Sequence, residues 1–111
     1  MVPVTVLTLD ISFHDDSLRE IEFRDAVSPY LSYLDSLRGA LGKNNYAVDY
    51  CPPENRNGKP TGWSLRCILT ISVGKNRAEH LILLFEAIVR LIDYELPDFE
   101  VDANAEILHF S

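Results

Sequence analysis

The side chains with most chemical potential in this chain are carboxylates. "HDD" at 14–16 sets a histidine beside two acids. Such a trio is raw material for a metal site or a general acid–base pair. A metal needs a further ligand group nearby, and His80 and His109 are far off in sequence. Helix entry accounts for the acids instead, because carboxylates are favoured where a helix begins. No metal site and no cofactor is expected.

The C-terminal third is acidic throughout. Asp93, Glu95, Asp98, Glu100, Asp102 and Glu106 follow Arg90 with no Lys or Arg among them. "DFEVDANAE" imitates the start of a calcium loop. It has Ala103 where that loop needs its glycine and His109 where it needs its chelating Glu. Read as a strand, Phe99, Val101, Ala103, Ala105 and Ile107 share one face. Glu100, Asp102, Asn104 and Glu106 then line the other in a row. Like charges in a row repel. The row is either a solvated edge kept charged against aggregation or a docking strip for a basic partner.

Other nucleophiles are not arranged for catalysis. No serine sits in a G-x-S-x-G turn, and no Cys–His pair is forced together. Cys51 and Cys67 form no C-x-x-C pair and too few cysteines for a disulfide framework. In a hairpin between their strands, Cys51 falls near residue 62 and Cys67 near residue 46. Both are expected to stay reduced, their Cα atoms lying beyond the ~7 Å reach of a bridge.

The elements that position these groups follow from hydrophobic periodicity. Residues 4–13 alternate, with Leu7, Leu9, Ile11 and Phe13 on one face and Asp10 on the other. Residues 18–41 carry apolar positions Leu18, Ile21, Val27, Tyr30, Leu31, Leu34, Leu37 and Leu41 at roughly helical spacing. Ser17 and Glu20 have the spacing of a capping box. Pro29 leaves two readings: one helix kinked there, or a second helix with Ser28 as N-cap and Pro29 at its first position. "REIEF" also fits a short strand, so residues 18–26 are open between helix and strand. "NYAVDYC" and "GWSLRCILTISV" read as strands. "NRAEHLILLFEAIVRLIDYEL" reads as a helix capped by Asn76, with Glu79 at N3 and Pro97 just beyond its end. Residues 99–110 close the chain as a strand, with a break allowed near Ala103–Ala105.

The order βαββαβ is that of an α+β, ferredoxin-like sandwich: a four-stranded antiparallel sheet with two helices on one face. Residues 1–111 then make a single α+β domain, an ordinary size for one. In that topology strands one and three are central, which suits the two most apolar, charge-poor strands. Asp10 and Arg66 face the open side of those central strands. They form either a cross-strand ion pair or polar anchors for a bound molecule.

Between strands two and three, "CPPENRNGKPTGW" spends about ten residues on a turn that two would close. Arg56 and Lys59 make its centre slightly basic. It is a solvated loop, or a flap that meets a ligand or partner. The second helix is too apolar for one stripe. Beyond Leu81, Leu84, Phe85, Ile88, Leu91 and Ile92 it carries Ile82, Leu83 and Val89. The surplus packs on the first helix or forms a homodimer surface at Ile82 and Val89.

Charge narrows the function. Lys and Arg number 10 against 17 Asp and Glu, a net −7. Nucleic acid and acidic membranes are excluded as non-specific partners, since both require clustered cations. The N-terminus "MVPVTVLTLD" lacks a basic signal-peptide region, and a cytoplasmic location is expected. The expected function is a non-enzymatic protein-binding module, an acidic inhibitor or immunity-type protein acting on a basic partner. The alternatives are a dimeric small-molecule sensor or regulatory domain, and a small enzyme with its site in a dimer cleft.

Overall fold

The computed structural model describes residues 4–38, 44–53, 55–56, 59–60 and 62–110. Strand β1 spans Val4–Asp15, helix α1 Glu20–Arg38, strand β2 Asn44–Cys51, strand β3 Trp63–Val73, helix α2 Lys75–Glu95 and strand β4 Glu100–Phe110. The sheet runs β2-β3-β1-β4, every neighbour antiparallel. This is the ferredoxin-like α+β arrangement, with β1 and β3 central and β4 unbroken through Ala103–Ala105.

Alternation decides which face is buried. Leu7, Leu9, Ile11 and Phe13 of β1 stand opposite Ile71, Leu69, Cys67 and Leu65 of β3, and all eight are buried. Val101, Ala103, Ala105 and Ile107 continue that face onto β4, while Tyr46, Val48 and Tyr50 continue it onto β2. The helices cover it, α1 over β3 and α2 over β1 and β4.

Helix α1 is one helix through Pro29 and contains residues 20–26, so the strand reading of "REIEF" fails there. Its core stripe is Phe23, Val27, Tyr30, Leu34 and Leu37. Ile21, expected on that stripe, is 65% exposed. Phe23 replaces it, stacking on Phe99 at 5.7 Å and meeting Tyr50 edge-on at 6.5 Å. The expected Ser17–Glu20 capping box is replaced by half of one, two residues on. Glu22 Oε1 accepts from the Arg19 backbone N–H at 3.3 Å, and Phe23 N–H donates to Arg19 O. Ser17 instead belongs to Asp15.

The N-cap of helix α2 lies two residues before the expected one. Gly74 is the N-cap, in extended conformation, and Asn76 lies inside the helix. The helix is also rotated from the expected stripe. Ala78, Leu81, Phe85 and Ile92 are buried, while Leu84 and Leu91 are exposed with Tyr33 in a shallow apolar groove between the helices. Tyr30 hydroxyl donates to Glu95 Oε1 at 3.1 Å and ties α1 to the end of α2. No described helix is long and apolar enough to cross a membrane.

Asp15 ends β1 and shapes the entry to α1. Its Oδ1 accepts from Ser17 N–H at 2.8 Å, Leu18 N–H at 2.9 Å and the Ser17 hydroxyl at 3.0 Å. Burial by itself pushes this carboxyl up. The three hydrogen bonds, with a smaller pull from His14, outweigh it and hold Asp15 below its ordinary value. A depressed folded-state pKa contributes stability above the unfolded value, about 3.9. That contribution disappears as pH falls through the folded value. Asp15→Ala should cost about 1–3 kcal/mol at neutral pH, because two backbone donors lose their acceptor. The difference from wild type should shrink in chemical denaturation below about pH 4. A constant difference down to pH 2 would remove the carboxylate from this role.

Candidate functional site

The even-numbered residues of β1 and β3 map the open face row by row. The first row is Cys51, Ser64, His14 and Glu100, and the second is Asp49, Arg66, Ser12 and Asp102. Next come Ala47, Ile68, Asp10 and Asn104, then Asn45, Thr70, Thr8 and Glu106. Ser72, Val6 and Leu108 finish the face at its apolar end. The face is mostly polar, with Ala47 and Ile68 in its third row.

Asp10 and Arg66 do meet on it. Arg66 Nε donates to Asp10 Oδ1 at 3.1 Å and Nη2 to Oδ2 at 2.6 Å. This two-pronged contact with Asp10 raises the Arg66 pKa. Both residues, with Ser12, Asp102 and Asn104, line a depression of about 320 Å³. Asp10 therefore already holds the guanidinium that would otherwise answer Asp102.

Glu100, Asp102, Asn104 and Glu106 are all exposed and share this open face. Burial of three unpaired carboxylates would cost several kcal/mol each, and strand alternation avoids it. The Arg56 and Lys59 side chains, expected near a partner, lie outside the described residues. Their backbones form a small antiparallel ladder, Asn55 with Pro60 and Arg56 with Lys59. Ile82 and Val89 are half-buried, facing the groove between α2 and β4.

Sequence reasoning missed a hydrogen-bonded chain at the loop end of the face. His14 Nε2 lies 2.6 Å from Asp16 Oδ1, and His14 Nδ1 lies 2.6 Å from Ser64 Oγ. A carboxylate only accepts, so Nε2 carries a proton toward Asp16; the Ser64 hydroxyl donates to Nδ1 when the ring is neutral and accepts from it when the ring is charged. Serine, histidine and aspartate connect in the order of a catalytic triad, but with the ring reversed: the serine meets Nδ1 and the carboxylate Nε2. Ser64 sits on a central strand, with His14 of β1 opposite it on one side and Cys51 of β2 on the other. The chain reads as a clamp on the turn after β1. Only the cross-strand register reveals it, since residues 14 and 64 are fifty apart.

Gly62 locks the same corner. A Cβ there would lie 1.8 Å from Asp15 O and 2.4 Å from Asp16 Cα. Among the described residues no group of three or more His, Cys, Asp or Glu is placed to hold a metal.

No family model matches this chain, and no curated protein matches it. Solved structures do resemble it. A VAO-type flavoprotein of Myceliophthora thermophila aligns with a TM-score of 0.53 and 13% identity over 97% of this chain and 18% of its own. A hydantoinase/carbamoylase family amidase of Burkholderia ambifaria aligns with a TM-score of 0.52 and 9% identity over 93% of this chain and 28% of its own. The de novo designed protein Foldit4 is 19% identical, covers 93% of this chain and 96% of itself, and has a TM-score of 0.45. This chain spans under a third of the two enzymes, and at these identities the likeness is one of fold alone.

The two cysteines are free and stand on opposite faces. Cys51 is exposed opposite Ser64, and Cys67 is buried opposite Val48, each two residues from the expected partner. Burial pushes the Cys67 thiol up to about 11. A thiol reagent at pH 8 should modify Cys51 rapidly and Cys67 only after denaturation. Mass spectrometry should show one label on the native chain and two on the unfolded one. Two labels on the native chain at equal rates would contradict this packing.

Proposed function

We propose that this chain is a non-catalytic protein-binding module whose open sheet face docks a basic partner. The supporting observation is the charge of that face. Asp10, Asp49, Glu100, Asp102 and Glu106 share it, and among the described strand residues Arg66 is the one Lys or Arg that joins them. Arg66 is already engaged by Asp10. The remaining carboxylates repel one another along β4 and across the sheet. A cationic surface placed on them relieves that repulsion and is attracted from a distance.

The polar, charged character of the face suits a protein better than a small molecule, which is ordinarily enclosed in a concave, mostly apolar pocket. The depression at Arg66 is shallow and largely polar in its lining residues. An acidic inhibitor of a basic protein is the finer form of this reading. Such a protein would cover a cationic working surface with its own anionic one.

A fluorescent Lys/Arg-rich peptide can serve as a generic cationic probe, with binding followed by anisotropy. Affinity should fall steeply between low and physiological salt. Glu100→Gln with Asp102→Asn and Glu106→Gln should weaken binding roughly tenfold or more. The same substitutions should preserve or raise the melting temperature, since they remove like charges that neighbour one another along β4. Unchanged affinity in the triple variant would sink the docking strip, and a lowered melting temperature would make these carboxylates structural.

A further inference from the structure

β4 is an edge strand, paired with β1 on one side only. Its eleven residues, Glu100–Phe110, present a row of backbone N–H and C=O groups of the kind onto which another strand adds. The pattern of β4 itself says which strand fits.

Full-length antiparallel pairing of β4 with a second copy centres on Ala105. It sets Glu100 opposite Phe110, Val101 opposite His109, Asp102 opposite Leu108, Ala103 opposite Ile107 and Asn104 opposite Glu106. No carboxylate faces a carboxylate in this register. A slip of two residues one way sets Asp102 against Glu106 twice. A slip of two the other way sets Glu106 against itself. A slip of one inverts the faces, so the helix-covered side of one copy continues into the open side of the other. The register with the most backbone pairing is thus free of facing like charges, as neither two-residue slip is.

Shape agrees with charge. Ala103 and Ala105 are the small residues on the helix-covered side of β4. Beside them lies a groove of about 410 Å³ between α2 and β4, lined by Ile82, Phe85 and Val89. In the Ala105-centred register, Ile107 of the second copy stands next to Ala103, at the mouth of this groove. A large β-branched side chain faces a small one, twice about the two-fold axis.

We propose that two copies of this chain associate through β4, antiparallel about Ala105, joining two four-stranded sheets into one continuous sheet. The contact is isologous, as a two-fold dimer requires. Ile82 and Val89 flank the seam rather than form it. Both open faces lie on the same side, so the two acidic strips adjoin across the axis. This association needs no foreign partner and is tested on the purified chain, separately from binding of a cationic probe.

Leu108 is 46% exposed on the open face, so its replacement leaves the core intact. In the proposed seam it faces Asp102 of the second copy. Sedimentation equilibrium should show a concentration-dependent dimer for wild type. Leu108→Asp should weaken it and Leu108→Lys should tighten it, each by a factor of about 2–30 from two cross-strand pairs. Ser72→Lys makes a comparable charge change on β3, away from the edge, and should leave association within about twofold. Cross-linking checks the register. In a Cys51→Ser background, Ala105→Cys should form a covalent dimer under mild oxidation, because self-facing Cα atoms lie about 4.5–5.5 Å apart. Ala103→Cys should not, because the two copies of residue 103 are offset by about 13 Å along the strands. A wild type monomeric at high micromolar concentration overturns the proposal. So does a shift in the same direction for both Leu108 variants, or cross-linking at 103 as ready as at 105.

Discussion

The antiparallel ladder between β1 and β3 is the constraint on which the rest of this molecule depends. It runs from Thr5 against Val73 to Asp15 against Trp63. Because strand side chains alternate, one register fixes the face of every residue on both strands. Leu7, Leu9, Ile11 and Phe13 gain burial together, and Asp10, Ser12 and His14 are placed outside by the same choice. Each buried Leu, Ile or Phe contributes about 1.5–3 kcal/mol relative to exposure. A one-residue slip would exchange these leucines with the Asp10 and Arg66 charges, so that register does not compete.

The helices answer that ladder rather than their own hydrophobic patterns. Helix α2 holds more apolar residues than one stripe can use. Ala103 and Ala105 leave room over β4, and Ile82 and Val89 lean half-buried toward that space. Leu84 and Leu91 then turn outward to the groove beside Tyr33. Helix α1 behaves alike. Phe23 is chosen over Ile21 because Phe99 and Tyr50 offer it aromatic partners from two other elements. Arg24 completes the corner, its guanidinium 3.8 Å from the Tyr50 ring centre.

Neighbouring acids meet different fates at the end of β1. Asp15 points inward and is consumed by the backbone donors of Ser17 and Leu18. Asp16 lies outside the ladder and holds the exposed edge of His14. Ser64 fixes the other ring nitrogen, and Gly62 lets the chain pass tightly under the turn. The cluster thus connects β1, β3 and the entry to α1 in three dimensions. The acids of β4 have no such joint to make. They remain on the surface as charge, which is why they carry the functional reading.

Much of this was written locally and could be read locally. Alternation over residues 4–13 and 63–73 determines two strands and their buried faces, because period two admits one partition of side chains. The βαββαβ order then limits the sheet to an arrangement with those strands in the centre. The same alternation places Glu100, Asp102, Asn104 and Glu106 together, since each follows the last by two residues. What the sequence did not contain was any relation between residues far apart. The His14–Ser64 contact, the choice of Phe23 over Ile21 and the rotation of α2 all depend on what a second or third element brings alongside. Helical periodicity is forgiving: with 3.6 residues per turn and apolar residues on several sides, α1 and α2 each had more than one plausible inner face. Only the small residues of β4, the aromatic pair at Phe99 and Tyr50, and the register of the central ladder selected among them.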